Sequence, residues 1–285
     1  MPFLPPLPIG GSPSPPAADN GFPQVGAAVF LDDGGPPRAA EVWGSVDCER
    51  PLRARDVRSG GDPAAGADGR PQDDAGYRRL RVVDGDNVSG ERCELGQNDH
   101  RTSPVALYRE GTRRITYVSL RLGDRFPIDR KAWQVVLQMK QSQPADAGGG
   151  VPVLALQANH NRWRLVPNSR RGGSVWSAPA TVGRWARFAF DVTYSSDPRS
   201  GSLRVSVDLN GDGDATDQHE RGERVELRTL KLEGPGGTED GLAEGDSIPS
   251  HLRVGIYHSP VYPCRGGRCE VAIDNVGVYE PRSQR

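Results

Sequence analysis

The sequence predicts an all-β chain folded as two antiparallel sheets packed face to face. Three observations carry that reading. Segments of alternating apolar and polar residues recur along the chain, at residues 77–83, 115–122 and 250–258 among others, and period two sends successive side chains to opposite faces of a strand. Glycine (36) and proline (25) are frequent enough in 285 residues to end and turn those segments. No stretch sustains the 3.6-residue periodicity of an amphipathic helix, so less than a tenth of the chain is expected to be helical.

In chain order, residues 1–20 are proline-rich and read as an extended tail or linker, too rich in proline for the apolar region of a signal peptide. Residues 21–285 are expected to form one domain, because a β-sandwich of this length commonly has a single core. A first strand falls at 27–31, and residues 53–75, dense in Gly, Asp, Arg and Ala, read as a long polar loop. Residues 77–83 set Arg79 and Arg81 against Leu80 and Val82, giving a strand with a basic face. At 115–122, Val118, Leu120 and Leu122 oppose Tyr117, Ser119 and Arg121. At 133–140, Val135, Leu137 and Met139 are expected to face in, with Gln134, Gln138 and Lys140 out. Segments 153–158, 162–166, 185–194, 203–209, 225–232 and 271–279 bring the total to about ten strands, with Phe188, Phe190 and Val192 as the inner row of 185–194. One sheet is expected to present a concave, polar outer face.

The formal net charge is −1, so no global field selects nucleic acid, and no apolar run approaches the roughly 20 residues of a membrane-spanning helix. Neither nucleic acid nor membrane is an expected partner. Four cysteines lack Cys-x-x-Cys spacing and suit an oxidising compartment. Cys264 and Cys269 flank a turn that one disulfide could close, and by elimination Cys48 pairs with Cys93.

Residues 250–258 gather the reactive groups. Leu252, Val254 and Ile256 point one way; His251, Arg253, Gly255 and Tyr257 point the other. A glycine inside a strand marks close approach by a ligand or another backbone. Residues 251–258 resemble the Tyr-Phe-Lys-Ala-Gly-x-Tyr-Asn strand of jelly-roll polysaccharide lyases, the group of alginate lyases, glucuronan lyases and heparin lyase I. Two further segments fit in order: Arg92-Cys93-Glu94-Leu95 resembles the Arg-Ser/Thr-Glu-Leu strand, and Gln138-Met139-Lys140 the Gln-Ile-His strand. The resemblance covers roughly residues 77 to 280 and implies a concanavalin-like jelly roll with a polar cleft. It makes Tyr257 the family's catalytic tyrosine and puts Arg253 in place of its lysine. Lys140 stands where most relatives carry histidine, which leaves Lys140, His100 and His251 as competing acid/base groups.

Tyr257, Lys140, Gln138, Arg92 and His100 are therefore the candidate catalytic residues, and Arg253, His251, Glu94, Arg121 and Gln134 the candidate substrate-binding ones. Their types suit β-elimination on a uronic acid. Loss of the C5 proton requires the neighbouring carboxylate to be neutralised by a guanidinium or an amide, and tyrosine can return a proton to the leaving O4. Separately, Asp208, Asn210, Asp212, Asp214, Asp217 and Glu220 alternate with glycines as a calcium-wrapping loop requires. The glutamate falls one place late for an EF-hand and a strand leads in, so a structural calcium loop of another type is expected. No organic cofactor is implied.

The implied function is a secreted, monomeric lyase that cleaves an acidic, uronate-containing polysaccharide: alginate, glucuronan or a glycosaminoglycan. The alternative is a non-catalytic carbohydrate-binding jelly-roll module, which the Lys140 departure supports. A jelly-roll glycoside hydrolase is disfavoured because no strand carries the required pair of carboxylates.

Overall fold

The computed structural model describes residues 19–50, 53–57, 76–88, 90–98, 106–142, 151–167, 173–237, 242–261 and 263–282. Among them is a single α-helix, α1 (Ala39–Val42), and nearly everything else regular is antiparallel strand. One sheet has eight strands. β13 (Val225–Glu226), β12 (Ser202–Asp208), β11 (Trp185–Thr193), β6 (Arg113–Leu122), β17 (Arg268–Pro281), β4 (Tyr77–Val83) and β3 (Ala54–Val57) lie in that order, and β1 (Val25–Asp32) pairs with the far half of β17. The other has seven, in the order β10 (Trp176–Pro179), β9 (Arg162–Pro167), β8 (Leu154–Asn159), β7 (Gln134–Gln141), β16 (Ser250–His258), β5 (Arg92–Gly96) and β2 (Ser45–Cys48). β14 (Lys231–Leu232) and β15 (Ser247–Ile248) form a small separate ladder.

The two sheets close on one core because the alternation in their sequences is in phase. Leu80, Val118, Leu120, Phe188, Phe190 and Val192 from the larger sheet meet Leu95, Leu137, Met139, Leu156, Leu252, Val254 and Ile256 from the smaller one. Trp163 bridges the layers, its ring edge-on to Phe188 at 5.1 Å. Each such side chain, taken out of water, contributes about 1.5–3 kcal/mol. Both expected disulfides are present, Cys48–Cys93 between the neighbouring strands β2 and β5 and Cys264–Cys269 across the turn into β17.

Three expectations need correction. Residues 225–232 are not one strand: β13 pairs with β12 and β14 pairs with β15, because the chain between them leaves the sheet, where the Leu227 and Thr229 amides bond Gly201 and Ser195 carbonyls. Residues 54–57, placed in the polar loop, form β3, whose Asp56 takes a hydrogen bond from buried Arg78. In β7 the alternation slips by one. Val254 pairs with Leu137 but Tyr257 with Val135, three residues facing two, so Val136 joins the core and Val135 shares a face with Tyr257. Residues 1–18 and 58–75 of the expected tail and loop lie outside the described residues.

Candidate active site

The outer face of the seven-stranded sheet is built by three adjacent strands, β7, β16 and β5. Directly paired residues share a face, so the pairs Lys140 with His251, Gln138 with Arg253, and Tyr257 with Arg92 place six predicted site residues on one surface. Glu94, paired with Gly255, completes it.

Glu94 is the centre of this surface and is fully buried, at 0% exposure. Its Oε1 accepts a hydrogen bond from Gln138 Nε2 at 2.6 Å, and its Oε2 lies 3.7 Å from an Arg92 Nη1 and 4.0 Å from Arg253 Nη1. Burial pushes its carboxyl above the usual range, against the opposing pull of Arg253, Arg92 and the Gln138 amide. Glu94, expected among the substrate-binding residues, therefore sits buried among Gln138, Arg92 and Arg253 and orients them.

Arg253 is held from three sides. Its Nη1 bonds Asp47 of β2, its Nε donates to His251 Nε2 at 3.0 Å, and Glu94 lies behind it. That bond makes His251 Nε2 an acceptor, which fixes the tautomer of a side chain with 0% exposure. Lys140 is also buried, and Lys231 of β14 approaches it closely enough that burial, and then the charge of Lys140, depress the Lys231 ammonium.

Arg92 and Tyr257 form the solvent-open edge. The Arg92 guanidinium stands 4.0 Å over the Tyr257 ring, and Trp133, just before β7, packs on that ring with centroids 4.7 Å apart. A β-carbon at Gly90 would come within 2.8 Å of the tyrosine's Cε2, so glycine there leaves room for the phenol. Of the two close approaches expected at Gly255, a ligand or another backbone, the structure shows the second. At φ 146° its missing β-carbon would overlap the Cys93 carbonyl and Glu94 Cα, so it permits the bulge and the close approach of β5.

Two other predicted residues lie elsewhere. Arg121 belongs to the eight-stranded sheet, where its Nε donates to the Gly183 carbonyl, because its alternation is in phase with the opposite layer. Gln134 is turned away by the slip in β7, and its amide holds the Pro127 and Ala158 carbonyls. His100 lies outside the described residues. Sequence reading missed Asp47, Trp133, Lys231 and Gly90: Asp47 and Gly90 come from segments assigned no strand, and Trp133 and Lys231 stand at the ends of expected strands, where alternation alone did not mark them as part of the site.

In the 208–220 loop, Asp208 accepts the Gly211 and Gly213 amides, Asn210 bridges Asp212 and Asp217, and Asp214 accepts the Thr216 amide. Glu220 is buried and accepts the Leu209 and Asp217 amides; burial raises its carboxyl, and the charges of Asp208 and Asp217 add to the rise. Among the described residues, the one group of three His, Cys or acidic side chains with ligand atoms within 4.8 Å of one another is His258, Cys264 and Cys269, in which the two sulfurs are already bonded to each other.

An antiparallel sandwich with guanidinium, amide and phenol groups on one sheet face defines the class as a jelly-roll protein with a cationic, tyrosine-bearing site. The chain belongs to the polysaccharide lyase family, whose model matches residues 42–277, and it is a polysaccharide lyase. It is similar in fold to the endo-β-1,4-glucuronan lyase of the fungus Trichoderma reesei, with TM-score 0.58, 15% identity, and 89% of this chain and 96% of that one covered. It is also similar to an alginate lyase from Aplysia kurodai (TM-score 0.53, 10% identity, 90% and 100% covered). A third likeness is to the alginate lyase Aly36B, solved with an alginate trisaccharide (0.50, 12%, 89% and 98%). No curated protein sequence matches the chain. Family membership sets aside the non-catalytic module.

The raised carboxyl of Glu94 has a consequence for stability. An acid harder to ionise in the fold than in the unfolded chain stabilises fully below its ordinary pKa of 4.5, and that contribution is lost as pH rises through the folded value. Glu94→Gln, which keeps the shape and an acceptor for Gln138, is expected to lose less stability than the parent across that rise, measured as melting temperature against pH.

Proposed function

We propose that the chain cleaves a uronic-acid-containing polysaccharide by β-elimination, with Tyr257 as the central proton-transfer residue. The observation that carries this is the Arg92 guanidinium 4.0 Å over the Tyr257 ring at the open edge of the cluster. In the step, the C5–H bond breaks and its electrons form the C4–C5 double bond; the C4–O4 bond breaks and O4 takes a proton. Arg92, with Gln138 and Arg253 behind it, neutralises the uronate carboxylate so that charge can develop at C5. Tyr257 delivers the proton to O4. As a phenolate compensated by the same guanidinium, Tyr257 would take the C5 proton and then pass that proton to O4, while Trp133 holds the ring from the other side. His251 is less suited to act as base, since its Nε2 already accepts the Arg253 N–H.

The names of the similar proteins, a glucuronan lyase and alginate lyases, support an unsulfated polyuronate as the substrate. So does a net charge of only −1, with no basic excess of the kind a sulfated chain would favour. Two disulfides support secretion.

Tyr257→Phe removes one hydroxyl and leaves the ring contacts in place. Turnover, followed by the absorbance of the unsaturated product on alginate and glucuronan, is expected to fall about 10²-fold or more, with folding and glycan binding retained. Cleavage by the variant at near the parental rate would refute the mechanism.

A structural calcium ion is proposed at the 208–220 loop. Its support is the run Asp208, Asn210, Asp212, Asp214, Asp217 and Glu220, the positive φ of Gly211 and Gly213, and the crowding of carboxylates on Glu220. In the conformation described, the oxygens accept backbone amides, and an ion would have to draw them together. Chelation is expected to lower the melting temperature, with calcium restoring about 2.7 kcal/mol at a hundredfold excess over its dissociation constant. Melting and metal content that ignore the chelator would leave the loop a simple turn.

A further inference from the structure

The eight-stranded sheet turns its own outer face to solvent on the side opposite Tyr257. A groove of about 1190 Å³ runs along it, walled by Phe22, Arg113, Ile115, Arg204, Arg221 and Arg282. Alternation dictates its character. Arg113, Ile115, Arg204 and Asp191 are the residues of β6, β12 and β11 that face away from the Phe188, Phe190 and Val192 core row.

The charges in this groove do not balance. Asp191, buried behind the lining arginines, accepts a two-pronged pair from Arg113 at 2.7 and 2.8 Å and a third bond from Arg224 at 2.6 Å, with Arg204 3.7 Å away. One carboxylate is thus shared by three guanidiniums. Among the described residues, Arg221 and Arg282 have no carboxylate within 4.0 Å, and Asp19 is the one acid among the residues that line the groove. Burial, together with the neighbouring charges of Arg221, Arg224 and Arg113, holds the Arg204 guanidinium below its usual range despite Asp191. The cationic excess is local, since the chain as a whole carries −1. Phe22, in the wall, is buried in a small cluster with Ala189 and Ala215, where Tyr117 at 5.8 Å and the Arg187 guanidinium at 5.2 Å hold it.

We propose that this groove is a second, non-catalytic binding site for a strand of acidic polysaccharide. The ligand class rests on the reading that the chain's substrate is a polyuronate. Guanidinium forks match carboxylates in geometry. The groove exceeds the roughly 300–1,000 Å³ of small-molecule pockets, as a polymer segment requires. A polymer held on both sheets gains effective concentration at the cleft; a short oligosaccharide, engaging one site at a time, does not.

The test uses the full chain carrying Tyr257→Phe, with and without Arg221→Glu and Arg282→Glu, titrated with polyglucuronate, alginate, neutral dextran and an oligothymidylate at two salt concentrations. The charge reversals are expected to weaken polyuronate binding about tenfold or more and to flatten its salt dependence, with dextran ignored. In the chain that retains Tyr257, the same reversals should leave tetrasaccharide turnover unchanged while slowing polymer turnover. Unchanged polymer affinity, or an equal loss on the tetrasaccharide, would overturn the proposal. Oligothymidylate binding tighter than either polyuronate would overturn the choice of glycan. A parent that cleaves no polyuronate would defeat the catalytic reading, while the binding difference between the two proteins would still decide the groove.

Discussion

The site depends on one buried carboxylate. Glu94 lies in the middle strand of β2, β5 and β16 with no exposure, and the groups that could handle an acidic sugar are arranged about it: Gln138 by a hydrogen bond, Arg92 and Arg253 by charge. A carboxylate so placed is costly to ionise, and an arginine so placed is costly to leave alone. Each limits the other's freedom. The result is a set of side chains fixed before any ligand arrives, as transition-state stabilisation requires.

Backbone geometry sets what lies on top. The extra residue in β16, permitted by Gly255, advances Tyr257 relative to β7 and lays it beside Arg92 and Trp133. Without the slip, strict alternation would have carried the tyrosine's partner on β7 one position further along. The Cys48–Cys93 disulfide ties β2 to β5 at the strand that carries Arg92 and Glu94, and Asp47 of β2 secures Arg253. The larger sheet supplies the other wall of the core and keeps its polar face, with the shared Asp191, for a separate use.

Much of this was legible in the sequence. The fold followed from alternation, because a strand with one buried face must repeat every second residue, and β4, β6 and β16 obey that rule. Tyr257, Arg92, Gln138, Arg253, His251 and Lys140 were found by resemblance and confirmed as neighbours by strand pairing. What could not be read was anything set by pairing between strands. The slip that turns Gln134 inward and Val135 outward is a property of β7 against β16, and Arg121 has the right pattern on the wrong sheet. Asp47, Trp133 and Lys231 sit in short or irregular segments whose side chains acquire a direction only from the folded neighbours. Ala54–Val57 was hidden for the same reason: its four residues look like loop until Arg78 is seen to bond Asp56.

The measurement that bears most directly on the proposed chemistry is a crystal structure of the Tyr257→Phe chain soaked with a uronate tetrasaccharide. The expected density puts a uronate carboxylate within hydrogen-bond reach of Arg92, and the glycosidic O4 about 3 Å from the place of the missing hydroxyl. A sugar chain that crosses the seven-stranded sheet with its carboxylates turned away from Arg92, or one found only against the eight-stranded sheet, would contradict it.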